Sequence, residues 1–147
     1  MVLDPSIQQL FPFKHHYLDI KDKSEYLRLH YVDEGSGDPV VMVHGNPTWS
    51  FYFREIIKNL SPSYRTIALD HIGCGLSSKP QNYSYQLSNH IANLTKLIKH
   101  LDLKNITLIL HDWGGAIGLG WAVNHLPQIK KIVLSNTAAF LSQDIPK

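Results

Sequence analysis

Apolar and polar positions alternate along two early stretches, His15 to Ile20 and Tyr26 to Asp33. That period of two predicts half-buried strands of an antiparallel opening. After the turn from Glu34 to Pro39 the pattern changes: Val40, Val41, Met42 and Val43 are continuously apolar and stop at His44-Gly45-Asn46-Pro47. A strand apolar on both faces must be covered on both, so the sheet is expected to become parallel here. Apolar residues at 49, 52, 53, 56, 57 and 60 predict a helix from Trp49 to Leu60, and Tyr64 to Leu69 reads as another buried strand ending at Asp70. The clearest helical period is Leu87, Ile91, Leu94, Ile98 and Leu101, with Asn89, Asn93, Lys96 and Lys99 on the polar face. Ile106 to Leu110 is a further strand that runs into His111-Asp112-Trp113-Gly114-Gly115, and a helix is expected from Gly114 to about Leu126. Its small pairs Gly114/Gly118 and Ala116/Gly120 allow close approach to the sheet. The last strand spans Lys131 to Ser135, before a polar stub that runs to Lys147.

Strands alternating with helices predict an α/β fold, a doubly wound, mainly parallel sheet with helices on both faces. Ligands bind such sheets beyond the carboxyl ends of the strands. Three informative segments lie there: His44 to Trp49, Asp70 to Pro80, and His111 to Gly115.

Composition narrows the function classes. With 147 residues, 44% apolar and 18% charged, there is material for one core. The net charge of +2 comes from scattered Lys and Arg, so the basic footprint of a nucleic-acid binder is missing, and Lys130-Lys131 reads as solvated surface. A single cysteine, Cys74, excludes an internal disulfide framework and Cys-rich zinc chemistry, and favours a reducing compartment. The first residues lack the pattern of a signal peptide and no apolar run is long enough for a membrane span, so a cytoplasmic protein is expected.

The strand, Asp112, helix junction has the form of a nucleophile elbow, in which a sharp turn lifts one side chain above the sheet. The match to G-x-S-x-G is partial, with Leu110 at the first small position and Asp112 in place of Ser. That exchange changes the reaction. A carboxylate is already ionised at neutral pH and attacks without a base. On a saturated carbon bearing a leaving group it gives a stable ester, whereas on an amide it would give an unfavourable anhydride. Clearing the ester calls for water activated by a histidine and for two oxyanion donors. The backbone N–H groups of Trp113 and Asn46 occupy the two places such folds use. The Trp113 indole N–H and the Asn46 amide could also hold a departing anion. This chemistry requires neither metal nor cofactor.

The segments HGNPTWSFYFR (44 to 54), ALDHIGCGLSSKP (68 to 80) and LILHDWGGAIG (108 to 118), in this order, resemble the haloalkane dehalogenases of the α/β-hydrolase fold. The resemblance covers nearly the whole chain from about Phe11. Within that family, DHIGCGLS and LSNTAAF (134 to 140) are most similar to the β-lactone decarboxylases of bacterial olefin biosynthesis. The resemblance implies that Asp112 is the nucleophile and that Asn46 and Trp113 form the leaving-group cradle. Dehalogenases with an Asn/Trp cradle commonly keep a Glu at the end of the strand holding Val133, where this chain has Asn136. The supporting acid is then expected from a later strand, as in the branch containing the decarboxylases.

Members of this family run to nearly twice this length, so residues 1–147 are expected to be the N-terminal part of the core domain, without the cap domain and C-terminal core. The catalytic histidine and its acid would then lie beyond Lys147. Of the nine histidines, His125 is ~20 Å down a helix from Asp112, His100 is at the opposite edge of the sheet, and His90 is on a flanking helix. His15, His16 and His30 belong to the opening strands. His44 and His111 flank tight turns and are expected to be hydrogen-bonded in place; His71 is the least implausible substitute. Asp70 is expected to brace its loop, and Cys74 to be a small packing residue.

The sequence thus predicts an enzyme that opens an sp³ carbon–leaving-group bond of a small hydrophobic substrate, with β-lactone opening and decarboxylation to an alkene favoured. A hydrolytic haloalkane dehalogenase, an epoxide hydrolase and an inactive fragment are the alternatives. Assembly with other olefin-biosynthesis enzymes is implied by the resemblance alone.

Overall fold

The computed structural model describes residues 3–22 and 25–137. Helix α1 (Pro5–Leu10) precedes strands β1 (His15–Asp22), β2 (Glu25–Glu34) and β3 (Pro39–Val43). A 3₁₀ turn (Ser50–Phe53) leads into α2 (Arg54–Leu60), followed by β4 (Arg65–Leu69), α3 (Leu87–His100), β5 (Ile106–His111), α4 (Trp113–Ala122) and β6 (Ile129–Ser135). The six strands form one sheet in the order β1-β2-β4-β3-β5-β6. The pairs β1/β2 and β2/β4 are antiparallel, and the other three are parallel.

Helices cover both faces, as the pattern predicts. On one face α3 and α4 bury Leu94, Leu97, Ile117 and Trp121 against Val41, Val43, Leu108 and Leu110. On the other, Phe53 and Ile57 pack with Phe11, Val40, Met42 and Ala68. The continuous apolar run of β3 is the direct result, since all five residues are buried.

Five elements differ from the sequence reading. The helix expected over Trp49 to Leu60 begins as a 3₁₀ turn and becomes α-helical only at Arg54. The helix expected to reach Leu126 ends at Ala122, and a 3₁₀ turn at Leu126–Gln128 leads into β6 two residues early, at Ile129. Helix α1 has no buried residue and so no periodic signal; it is started by Asp4, whose side chain accepts the Ser6 N–H at 2.9 Å, and by Pro5 in its first turn. Strand β2 is not half-buried throughout: Leu29, His30, Tyr31 and Val32 are all buried, because β2 lies inside the sheet beside β4. Residues 138–147, including the predicted polar stub and the end of LSNTAAF, lie outside the described residues.

The chain passes from β3 outward to β4 and then returns to the other side of β3 with β5. This is the switch point at which open α/β sheets place their ligands. The loops after β3 and β5 carry Asn46 and Asp112.

Candidate active site

Asp112 sits between β5 and α4 with φ 52° and ψ −130°, a positive-φ conformation that is uncommon for a residue with a Cβ and that the sharp turn imposes here. Small residues make room for it. A Cβ on Gly45 would collide with the Asp112 carboxylate, and one on Gly114 would collide with the Val43 carbonyl of β3. Thr137 closes the elbow from the end of β6 by donating its hydroxyl to the Asp112 carbonyl at 2.6 Å.

The Asn46 backbone N–H donates to Asp112 Oδ1 at 2.9 Å across 66 residues of sequence. The N–H groups of Trp113 and Asn46 hold the Asp112 carboxyl below its ordinary range, so it is ionised throughout the neutral region. The structure therefore brings together all three predicted site residues. Trp113 is 58% exposed, so it is not a core aromatic. It stands between two cavities. One, of about 460 Å³, is walled by Asn46, His71, Ile72, Tyr85, His90 and Ile117, among others. The other, of about 410 Å³, is lined by Asp112, Trp113, Ala116, Asn136 and Thr137. Asn136, the position that departs from the dehalogenase pattern, thus shares a cavity with Asp112.

Asp70 does brace its loop. Its fully buried carboxylate accepts from Ser50 N (2.7 Å), Leu76 N (2.7 Å) and His30 Nδ1 (2.8 Å). Burial pushes this carboxyl up, but the His30 partner and the two N–H donors outweigh it and leave it lowered. His30 Nε2 lies 2.9 Å from His15 Nδ1, which extends the network to β1. The sequence reading missed His30, because a polar residue in an alternating strand looks solvent-facing; here it is fully buried.

His44 is fixed in place, donating from Nδ1 to the Gly45 carbonyl at 2.7 Å and accepting the His71 N–H at Nε2 (3.0 Å). His71 Nε2 donates to the His44 carbonyl at 2.9 Å. His111 stacks on Tyr52 with centroids 4.3 Å apart, and its Nδ1 has no partner among the described residues, contrary to the expectation for this ring. His125 is tied to the Trp121 carbonyl. Cys74 is half-buried and burial raises its thiol, consistent with packing.

Burial lowers both His44 and His71, the latter strongly and with His44 and His90 as like-charged neighbours; Asp70 pulls both the other way without prevailing. Unfolded, each ring would take a proton below its ordinary value of 6.5, whereas the folded rings take it only at lower pH. The unfolded state therefore binds more protons, and stability falls as pH drops below about 6.5. Each ring adds a slope of up to about 1.4 kcal/mol per pH unit until its folded pKa is reached. A series of unfolding midpoints from pH 8 to 5 should show this loss well above the carboxylate range. A flat profile would mean that neither ring is kept neutral.

Among the described residues, no group of three or more His, Cys, Asp or Glu is placed to hold a metal ion, and no helix is long and apolar enough to cross a membrane.

Comparison with known proteins places the chain among α/β hydrolases. The chain is 49% identical over 137 residues to a cis-3-alkyl-4-alkyloxetan-2-one decarboxylase of Shewanella oneidensis, covering 91% of this chain and 42% of that protein. It is 40% identical to haloalkane dehalogenase 2 of Mycobacterium tuberculosis, covering 88% of this chain and 44% of that one. The solved haloalkane dehalogenase DpaA from Paraglaciecola agarilytica superposes with a TM-score of 0.83 at 37% identity, over 90% of this chain and 46% of that one. The chain thus spans less than half the length of these relatives. Residues 38–146 match the α/β hydrolase fold family, and the chain belongs to it.

Proposed function

We propose that this chain carries the nucleophile and leaving-group cradle of an enzyme that opens β-lactones through an aspartyl ester and releases an alkene. The observation that carries the covalent step is Asp112 itself, an ionised carboxylate on a positive-φ elbow with the Asn46 N–H on its Oδ1. The similarity to the decarboxylase of S. oneidensis, with the DHIGCGLS segment, supports the lactone over other leaving groups.

In this reading Asp112 attacks the ring carbon that bears the lactone oxygen. The new C–O bond forms as the ring C–O bond breaks, and the departing carboxylate stays tethered to the substrate. The Asn46 and Trp113 side-chain donors hold that anion. Loss of CO₂ then breaks the C–C bond. Its electron pair forms the alkene, and the ester C–O bond breaks to return the Asp112 carboxylate. The haloalkane route differs in its second half, since its ester must be hydrolysed by water that a histidine activates. The 40% identity to a haloalkane dehalogenase keeps that route as the second reading.

The test gives the intact protein a cis-dialkyl β-lactone and, separately, 1-bromo- and 1-iodoalkanes, following alkene formation and halide release. Alkene from the lactone at the higher kcat/KM is the expected result. Halide release at the higher kcat/KM with no alkene would replace the decarboxylase reading with the dehalogenase one.

The cradle makes a further prediction. Trp113→Phe and Asn46→Ala each remove a side-chain donor but keep the backbone N–H, and each should slow ester formation by ~10²–10³ in single-turnover experiments. Full rates in both would show that these side chains do not hold the leaving group.

A further inference from the structure

The two cavities flanking Trp113 differ in character. The one of about 410 Å³ holds the nucleophile beside Asn136 and Thr137, whereas the one of about 460 Å³ has no Asp, Glu, Lys or Arg among the described residues of its wall. Its two histidines, His71 and His90, sit edge-to-face at 5.2 Å, and burial lowers both rings, so they are neutral at pH 7. Burial likewise keeps the Cys74 thiol protonated. A wall without charge offers nothing to a phosphate, a carboxylate or an ammonium group and suits an alkyl chain. Surface that such a chain can touch is supplied by Tyr85, 48% exposed, and Leu87, 41% exposed. Gly45, Asn46 and Trp113 line the same cavity, so it is continuous with the leaving-group cradle. Tyr85 is a fixed part of the wall. Its ring lies over Gly73, which has φ 98° and where a Cβ would stand 2.6 Å from the ring. It meets Tyr83 edge to face with centroids 5.0 Å apart, and Tyr83 is itself held by the Asn93 amide at 2.9 Å. The Tyr85 hydroxyl donates to the Pro80 carbonyl at 2.7 Å. Held in these three ways, the ring limits the space beside it instead of yielding to an occupant.

We infer that this cavity takes one alkyl arm of the substrate, and that Tyr85 and Leu87 set the length of arm it accepts. The inference rests on the reading that a substrate with an alkyl arm reacts at Asp112. Both residues act by contact with the chain and take no part in bond making.

The test gives the intact protein two series of cis-dialkyl β-lactones, one lengthening the arm at the ring carbon next to the carbonyl, the other the arm at the carbon bearing the ring oxygen. A lack of alkene would sink the lactone reading and leave the comparison measurable with 1-bromoalkanes of increasing length, read by halide release. If neither is turned over, calorimetric Kd values of 1-alkanols give the same comparison without turnover. In one series kcat/KM should rise by about fourfold per added methylene, through KM, and then stop rising at a definite length. Tyr85→Ala should move that break to longer arms. Leu87→Trp, which narrows the cavity from an exposed position, should move it to shorter ones, and still reads the inference should Tyr85→Ala not fold. A purely structural role for these residues would change kcat at every length alike and leave the break in place. A break that stays at one length in both variants, or no dependence on arm length in any series, overturns the inference.

Discussion

Asp112→Gly is expected to give an intact protein that is inactive and slightly more stable than its parent. The activity loss should be on the order of 10⁶-fold in kcat, the scale seen when a nucleophile is removed. No alkylated protein should appear by intact mass after exposure to β-lactone or haloalkane. The stability gain follows from the backbone. Holding a residue with a Cβ at φ 52° costs about 1–3 kcal/mol, and glycine is free of that cost. Glycine gives back about 0.4–1 kcal/mol through the larger entropy of the unfolded chain, which leaves a net gain of about 1 kcal/mol. Asp112→Ala should lose the same activity without the gain, because alanine keeps the Cβ. An active Asp112→Gly would remove the nucleophile from this position. An inactive but destabilised one would mean that the Asn46 and Trp113 contacts outweigh the elbow's strain.

The second large effect is on stability. Asp70→Ala should cost about 3–5 kcal/mol, because it leaves His30 Nδ1 and the N–H groups of Ser50 and Leu76 buried without their acceptor. Against the 5–15 kcal/mol that holds a typical domain together, this is the difference between folded and marginal. Denaturant titration of parent and variant at neutral pH reads it directly. The pH dependence gives an independent check. The folded-state pKa of Asp70 is lowered, so its contribution is complete above the ordinary carboxyl value of 3.8 and fades only as pH falls through the lower folded value. The gap between parent and variant should therefore persist from pH 8 to about 5. A cost below about 1 kcal/mol would mean that the loop from Asp70 to Pro80 is held by other contacts.

Why some of this was legible and some not follows from what a one-dimensional pattern records. Val40 to Val43 announces itself because β3 is covered on both faces, and coverage is written in the residues themselves. Asp112 is legible because Gly114 and Gly115 must be small for the turn to close, a local requirement with a local signature. Helix α1 was invisible to periodicity because it buries nothing, although Asp4-Pro5 carries its start signal. His30 is rightly placed in an opening strand, but its burial is not legible, because alternation shows which residues share a face of the strand, not what later segment arrives to cover that face. What arrives is Asp70, forty residues on. The pairing of His71 with His90 is of the same kind: each lies in a readable element, but their approach depends on how α3 packs over the loop after β4. On β6 the pattern was right about the strand and silent about its surroundings, since Ile132, Val133 and Leu134 are apolar and exposed among the described residues.

The register of β3 against β5 sets the tolerance of the whole site. Val41 lies opposite Leu108 and Val43 opposite Leu110, which brings Gly45 level with Asp112 and sets the Asn46 N–H on the carboxylate. A slip of one residue would displace the two loops by ~3.3 Å and turn every β5 side chain to the wrong face. These four aliphatic residues touch no substrate, yet they act as the ruler against which donor and nucleophile are aligned, and precision at the site is inherited from the interlocking of greasy side chains beneath it.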